Sequence, residues 1–182
     1  MDQAIVDLLY EAKMLKGIPR SGYQFLGVGR ESVAEHTFMT TFIANTMAML
    51  QPDADALKLL RMCLLHDLPE ARIGDLNAVQ KKYVTADEPK AISELTRSLP
   101  FGNEISKLLA EFRSGQTLEA QLAHDADQLS LLIDLKSLQD IGHTSPAKWI
   151  RHVRERMITE TGRKMAKGIL ETEWDQWWLK DF

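Results

Sequence analysis

Apolar residues in this chain recur at helical spacing almost from end to end, and prolines and glycines interrupt the repeat at intervals. That combination commits the chain to a stack of medium-length helices. Ile5, Leu8, Leu9, Ala12 and Leu15 form one stripe, which Gly17-Ile18-Pro19 ends. The glycine-rich, partly aromatic stretch RSGYQFLGVGRE is expected to be a loop. Ser32-Val33-Ala34-Glu35 then has the form of a capping box, in which Ser32 accepts from the third backbone N–H and Glu35 reaches back. It opens a long helix running to about Leu50. Pro52 and Asp53 start the next helix, with Leu57, Leu60, Leu64 and Leu65 facing the core. That helix ends or kinks near Leu68, because Pro69 disfavours a helical residue before it and lacks an N–H. Residues 71–88 read as irregular. Further helices are expected over 89–99, 102–114 and 117–140, with one or two more over 146–179. No run has the period of a strand, so the expected fold is all-α.

With 182 residues, one domain is expected, large enough to bury a real core. The single cysteine, Cys63, excludes an internal disulfide and a cysteine metal cluster, and its apolar neighbours make it a core thiol. The opening residues carry Asp2 and Asp7 in an amphipathic pattern unlike a signal peptide. No stretch approaches 18 uninterrupted apolar residues, so no membrane span is expected and the cytoplasm is the default. The net charge is −4, and Lys and Arg are scattered apart from Lys81-Lys82 and 151–156. A nucleic-acid polymer would favour a basic face, so such a partner is not expected, whereas a small anion bound by a metal is compatible with this charge.

One segment does not fit a plain core helix. In LLHDLPEARIGD, residues 64–75, the apolar Leu64 and Leu65 run straight into His66 and Asp67, followed by Glu70 and Asp75. Polar groups that close to a core need hydrogen-bonded, charged or metal partners. His36 and the aspartates of HDADQ are the matching candidates elsewhere. Histidine with carboxylate suits a divalent ion that keeps open positions for water. Adjacent residues on a helix point about 100° apart, so His66 and Asp67 reach one ion only if it lies in a cleft between helices. By itself the pair reads first as a local helix-end cap, and only the wider pattern changes that.

PRSGY, ESVAEH, LLHDLPEARIGD and DADQL, taken in that order and spacing, resemble the HD-domain phosphohydrolase superfamily. The likeness spans about residues 15–135. Within the superfamily the chain is similar to the branch of bacterial 5′-deoxynucleotidases and HD domain-containing protein 2. The resemblance implies a helical bundle with a metal site in a central cleft, its C-terminal helices (146–179) packed on the motif region. It implies one divalent ion per chain (Co, Mn, Mg, Ni or Zn) held by His36, His66, Asp67 and a distal aspartate. Periodicity leaves Asp125 and Asp127 both open: Asp125 falls on the stripe of Leu118, Leu122, Leu129 and Leu132, whereas Asp127 shares a stripe with Ala120, Ala123 and Ser130. The family's placement, two residues before an apolar position, selects Asp127.

The same resemblance assigns catalysis to Glu70, Asp75 and Arg20. It gives contacts with a nucleoside 5′-monophosphate, a deoxynucleotide by expectation, to Arg20, Ser21, Tyr23, His36, Asp67, Asp75, Leu76, Asn77, Ala78 and Asp127. Arginine is chemically apt because its guanidinium grips two phosphate oxygens at once. A carboxylate at Glu70 beside activated water can position it or move its proton. Gly74 permits a tight turn aiming Asp75 back at the cleft. Some members carry tryptophan after the arginine; Ser21 stands there, and Tyr23 is the candidate replacement ring. Asn77-Ala78 replaces the Pro-Thr common in the branch. Arg30 reads equally as a phosphate contact or a loop charge. His124 is expected to pack, and His143 and His152 to serve no chemistry. Trp174, Trp177 and Trp178 are expected to cover the core or a subunit interface, and the chain to be a homodimer. Rival readings are a cyclic-nucleotide phosphodiesterase, a di-iron oxygenase with His124 as an added ligand, and a non-catalytic binding module.

Overall fold

The computed structural model describes residues 3–180, which form eleven α-helices and no strand. In order these are α1 (Gln3–Met14), α2 (Tyr23–Leu26), α3 (Val33–Leu50), α4 (Ala56–Leu65), α5 (Glu70–Ile73) and α6 (Glu88–Thr96). There follow α7 (Gly102–Ser114), α8 (Leu118–Asp140), α9 (Pro146–Glu155), α10 (Glu160–Glu171) and α11 (Gln176–Leu179). An isolated antiparallel bridge between Pro19 and Ser32 closes the loop that holds α2, with Arg20 N–H donating to the Glu31 carbonyl at 2.8 Å.

Two helices organise the bundle. α3 packs on α4 and α8, and α8 also packs on α4, α7, α9 and α10. α8 is enclosed on several sides and α3 carries apolar residues such as Phe38, Phe42 and Met49 on its exposed face, which is why neither shows one clean apolar stripe. Leu122, Leu129, Leu132 and Leu135 of α8 are completely buried, and burial of each such side chain stabilises by about 1.5–3 kcal/mol. A second core joins Leu15, Val33 and Leu68 to Ile92, Leu95 and Leu109. His36, in the first turns of α3, and His66, at the end of α4, stand where the two cores meet the loop after α1.

The expected capping box is present. Ser32 Oγ accepts from Glu35 N–H at 3.2 Å, and Glu35 Oε2 accepts from Ser32 N–H at 2.7 Å. The all-α class and the helix at 102–114 also stand. Three details differ. The helix after Pro52 starts only at Ala56, because Asp55 caps it by accepting from Lys58 N–H, and it ends at Leu65. Leu57 and Leu64 point outward, and Leu59, Met62 and Cys63 make the buried face instead. The supposedly irregular stretches 20–31 and 71–88 contain α2, most of the single-turn α5 and a 3₁₀ turn at Gln80–Lys82. Such single-turn helices are too short to leave a periodic signal.

Candidate active site

The sharp end of α4 builds the centre. Pro69 stops the helix, and the turn through residues 66–69 swings His66 and Asp67 toward the start of α3. His66 Nδ1 lies 2.8 Å from the Cys63 carbonyl. A carbonyl only accepts, so Nδ1 carries the proton and Nε2 keeps its lone pair in the neutral ring. That Nε2 is buried, 3.1 Å from Asp67 Oδ2 but not aligned for a hydrogen bond. The nearest donor atoms of His36, His66 and Asp67 lie within 4.8 Å of one another, a spacing that fits a metal ion. Asp127 joins from α8, its Oδ1 2.8 Å from His36 Nε2. An orphaned imidazole nitrogen facing carboxylates fits a divalent cation. Burial works against a proton on His66, yet Asp67 beside it prevails and pushes its pKa up to about 9. A metal ion and a proton therefore compete for this ring.

Arg20 reaches in from the loop after α1. Its guanidinium lies 3.4 Å from Asp67, 3.9 Å from Asp75 and 3.9 Å from Asp127. Gly74, at a φ of +73°, makes the turn that sends Asp75 back, and Asp75 Oδ2 accepts from Ser21 N–H at 2.9 Å. Glu70 is pushed up to about 8, first by burial and then by Asp67 and Asp75. Its Oε2 is buried without a hydrogen-bond partner. Asp127 is held well below the usual carboxylate range: burial opposes its charge, but His36, His66 and Arg20 outweigh it.

A cavity of about 870 Å³ opens from this cluster. Arg20, Tyr23, His66, Asp67, Glu70, Asp75, Asn77, Ala78 and Asp127 all line it. Four substrate-contact candidates have special settings. Ser21 is buried and offers Asp75 its backbone, and Leu76 lines a smaller neighbouring cavity of about 440 Å³. Tyr23 does not present a free hydroxyl, since its O–H is held by Asp134, and its ring presses on Gly29. Asn77 Oδ1 accepts from Val79 and Gln80 N–H, so its side chain is occupied by the turn. Asp125 lies elsewhere, fully buried, accepting from Ile158 N–H, Thr159 N–H and Thr159 Oγ at 2.6–2.8 Å. Arg30 is an exposed loop charge. His124 packs as expected, stacked on Phe112 with Nε2 donating to the Phe112 carbonyl at 2.8 Å.

The HD domain family model matches residues 12–171. This chain belongs to the HD domain family. The human 5′-deoxynucleotidase HDDC2 is 24% identical to it over 147 residues, 78% of this chain and 71% of that protein. The 5′-deoxynucleotidase hdd1 of Schizosaccharomyces pombe is 28% identical over 142 residues, 72% and 71% of the respective chains. A conserved hypothetical protein from Pyrococcus furiosus superposes with a TM-score of 0.77 at 29% identity, covering 92% of this chain and 99% of that one. A predicted metal-dependent phosphohydrolase from Magnetospirillum magnetotacticum shares the fold, with a TM-score of 0.69 at 23% identity over 93% and 90% of the two chains. The family implies a divalent metal, and the His36, His66 and Asp67 donors of this HD domain suit one.

Several residues at the site escaped sequence reasoning. Glu31 Oε2 stands 3.7 Å from His36 Nδ1, and burial, then Asp134, pushes its pKa up to about 8. Asp134 comes two turns after Asp127 on α8, a spacing that could have flagged it. Lys148, Trp149, His152 and Arg156, from α9 and its C-terminal cap, line the cavity although they lie beyond every motif. His152, expected to serve no chemistry, stands on the cavity wall.

Proposed function

We infer that this HD domain is a metal-dependent 5′-nucleotidase that releases phosphate from deoxyribonucleoside 5′-monophosphates. The observation that carries this reading is the convergence of His36, His66, Asp67 and Asp127 with Arg20, Glu70 and Asp75 on one cavity. Membership in the HD domain family and similarity to proteins named 5′-deoxynucleotidases support it. In this reading His36, His66, Asp67 and Asp127 hold the ion. When bound, the ion supplies Lewis-acid charge to the phosphate and lowers the pKa of water.

The chain's own groups do the rest. Arg20 grips the phosphate through two donors, leaving its carboxylate neighbours for the substrate's oxygens. Glu70, with a pKa near the operating pH, takes the proton released as water attacks phosphorus. The bond from phosphorus to the 5′ oxygen breaks, giving nucleoside and inorganic phosphate. Asp75, fixed by the Ser21 amide, holds the 5′ side of the substrate. Glu31 faces His36 Nδ1 at 3.7 Å, close enough to bear on the charge of that ring but without a hydrogen bond to it. A deoxyribose preference is supported by Asn77, whose carbonyl is used within its own turn, and by Ala78, which offers a 2′-hydroxyl no side-chain partner.

A homodimer is part of this proposal. Phe38, Phe42 and Met49 on α3 and Leu57 and Leu64 on α4 are exposed. Trp174, Trp177 and Trp178 do not cover the core, being 43%, 75% and 41% exposed, and they suit an interface instead. The site's place is taken to be the cytoplasm, where nucleotides are abundant and the buried Cys63 thiol stays reduced; no helix among the described residues is long and apolar enough to cross a membrane. The test is phosphate release from a panel of ribo- and deoxyribonucleotides with Co, Mn, Mg, Ni or Zn and with chelator. Release from 5′-monophosphates that chelator abolishes is expected. Turnover of cyclic nucleotides alone, or of none, would overturn the reading.

A further inference from the structure

The cavity that holds the proposed phosphohydrolase centre is also lined by a second, cationic group of side chains that the centre does not use. Lys148, His152 and Arg156 are spaced four residues apart, so they form a row along α9 and its C-cap. All three line the cavity, as does Lys81 from the 3₁₀ turn at Gln80–Lys82. Trp149 joins this wall to the Arg20 loop, since its ring stands 3.6 Å from where a Cβ on Gly22 would lie.

Some cations elsewhere among the described residues sit on carboxylates, such as Lys58 on Glu111 and Glu119, Arg61 on Glu104 and Arg72 on Glu11 and Glu94, while others, such as Lys13, Arg97 and Lys107, do not. Among the described residues, Lys81, Lys148 and Arg156 have no ion-pair partner, and only His152 faces one, Glu155 at 3.6 Å. Unpaired surface cations are ordinary one at a time. Three of them around one cavity, in a chain of net charge −4, concentrate positive potential where a ligand enters. The cavity, about 870 Å³, also lies high in the range of roughly 300–1,000 Å³ that accommodates small molecules. A mononucleotide whose single phosphate is spent on Arg20 and the metal centre brings no anion to this wall.

We propose that the α9 wall is a second anion subsite, taking 5′-phosphorylated nucleotides that carry a further phosphate on the 3′ side. The inference rests on the nucleotidase reading of the proposed centre. With the 5′-phosphate at Arg20, the 3′ oxygen is the sugar's far attachment point, from which a second phosphate extends outward. The chemistry is unchanged: water adds to the 5′ phosphorus, the bond to the 5′ oxygen breaks, and the outer phosphate leaves with the product. That outer group is either a terminal 3′-phosphate or the diester to a next nucleoside.

The experiment compares kcat/KM for 5′-phosphate release by metal-loaded protein from three probes. These are a deoxynucleoside 5′-monophosphate, its 3′,5′-bisphosphate and a 5′-phosphorylated deoxydinucleotide. Preference of about tenfold or more for either doubly charged probe is expected, the effect of one charge-assisted contact. A Lys148→Ala/Arg156→Ala double variant should lose at least tenfold more on the favoured probe than on the monophosphate. Both side chains are exposed, so the fold should survive, and an unchanged melting temperature verifies it. Preference for neither probe, or equal loss on all three, overturns the subsite and leaves only general attraction. Calorimetric binding of the same probes to wild type and double variant separates this from failure of the nucleotidase reading. Tighter bisphosphate binding that depends on Lys148 and Arg156 supports the subsite even without turnover, and equal affinity refutes it.

Discussion

Asp125 and Asp127 stand two residues apart on α8, both enclosed by protein and in opposite company. Asp125 has no exposure and every partner it needs: two backbone N–H groups and a hydroxyl from the turn between α9 and α10. Its fit is tight enough that a Cβ on Gly162 would collide with its carboxylate. Asp127 faces His36, Arg20 and the cavity instead. Two positions on a helix are about 200° apart, so one helix serves a structural joint on one side and the proposed reactive centre on the other. A buried carboxylate satisfied by backbone amides stabilises the fold, whereas one set among imidazoles with unmatched nitrogens is poised to share its charge with an ion.

The largest expected effect is at the reactive side. His66→Ala or Asp127→Asn should strip the metal and drop phosphatase activity below detection. Metal analysis should give near one ion per wild-type chain and far less in either variant, with the helical circular dichroism retained. Full metal occupancy in Asp127→Asn, or two tightly bound irons per wild-type chain, would break the comparison at its centre. Glu70→Ala comes next. It should keep the metal and bind a deoxynucleoside monophosphate while kcat falls by about 10² to 10⁴. Arg20→Ala should weaken binding as well as rate, because the guanidinium meets phosphate in ground and transition states alike. Near wild-type turnover in Glu70→Ala would return that residue to a plain helix-end glutamate.

On the structural side, Asp125→Ala leaves two buried amides and a hydroxyl without their acceptor. A loss of about 3 kcal/mol in unfolding free energy is expected, read by urea titration, with metal content and kcat near wild type in the folded protein. Loss of metal without loss of stability would reverse the roles given to the two aspartates.

How far the sequence revealed this division depends on the kind of signal. Most helices longer than two turns were legible because their punctuation is local, as with the Ser32–Glu35 box, Pro69 and Thr117 at the start of α8, whereas 146–179, read as one or two helices, holds α9, α10 and α11. The set His36, His66, Asp67 and Asp127 was legible through motif order. Periodicity alone could not separate Asp125 from Asp127, because α8 is buried on several sides and no stripe is the inward one. Leu57 and Leu64 were misplaced for a related reason: apolar type does not decide burial on a helix that is apolar nearly all round. Tyr23 was given to substrate by the family likeness, and the bond from its hydroxyl to Asp134 was not legible because that partner lies 111 positions away. The α9 wall left no trace, since scattered Lys, Trp and Arg acquire meaning only once the helix is folded against the cavity.

α8 carries a third enclosed carboxylate, Glu119, and it gives the smallest and most graded test of the contrast. Glu119 is buried at the start of the helix, where Asp55 N–H donates to Oε1 at 2.9 Å and Lys58 Nζ lies 2.9 Å from Oε2. Burial favours the neutral acid, but the Asp55 amide and Lys58 outweigh it and hold the pKa below its ordinary value. A depressed folded value means the contribution is fully present above the unfolded pKa of about 4.3 and is lost as pH falls through the folded value. Glu119→Gln should cost about 0.5–1 kcal/mol at neutral pH, the scale of a partly exposed ion pair, and should flatten the decline of the urea midpoint below about pH 4.3. Asp125 and Glu119 then behave as one class, tied to stability and silent in catalysis. An equal acid slope in wild type and Glu119→Gln, or a metal deficit in the variant, would take Glu119 out of that class.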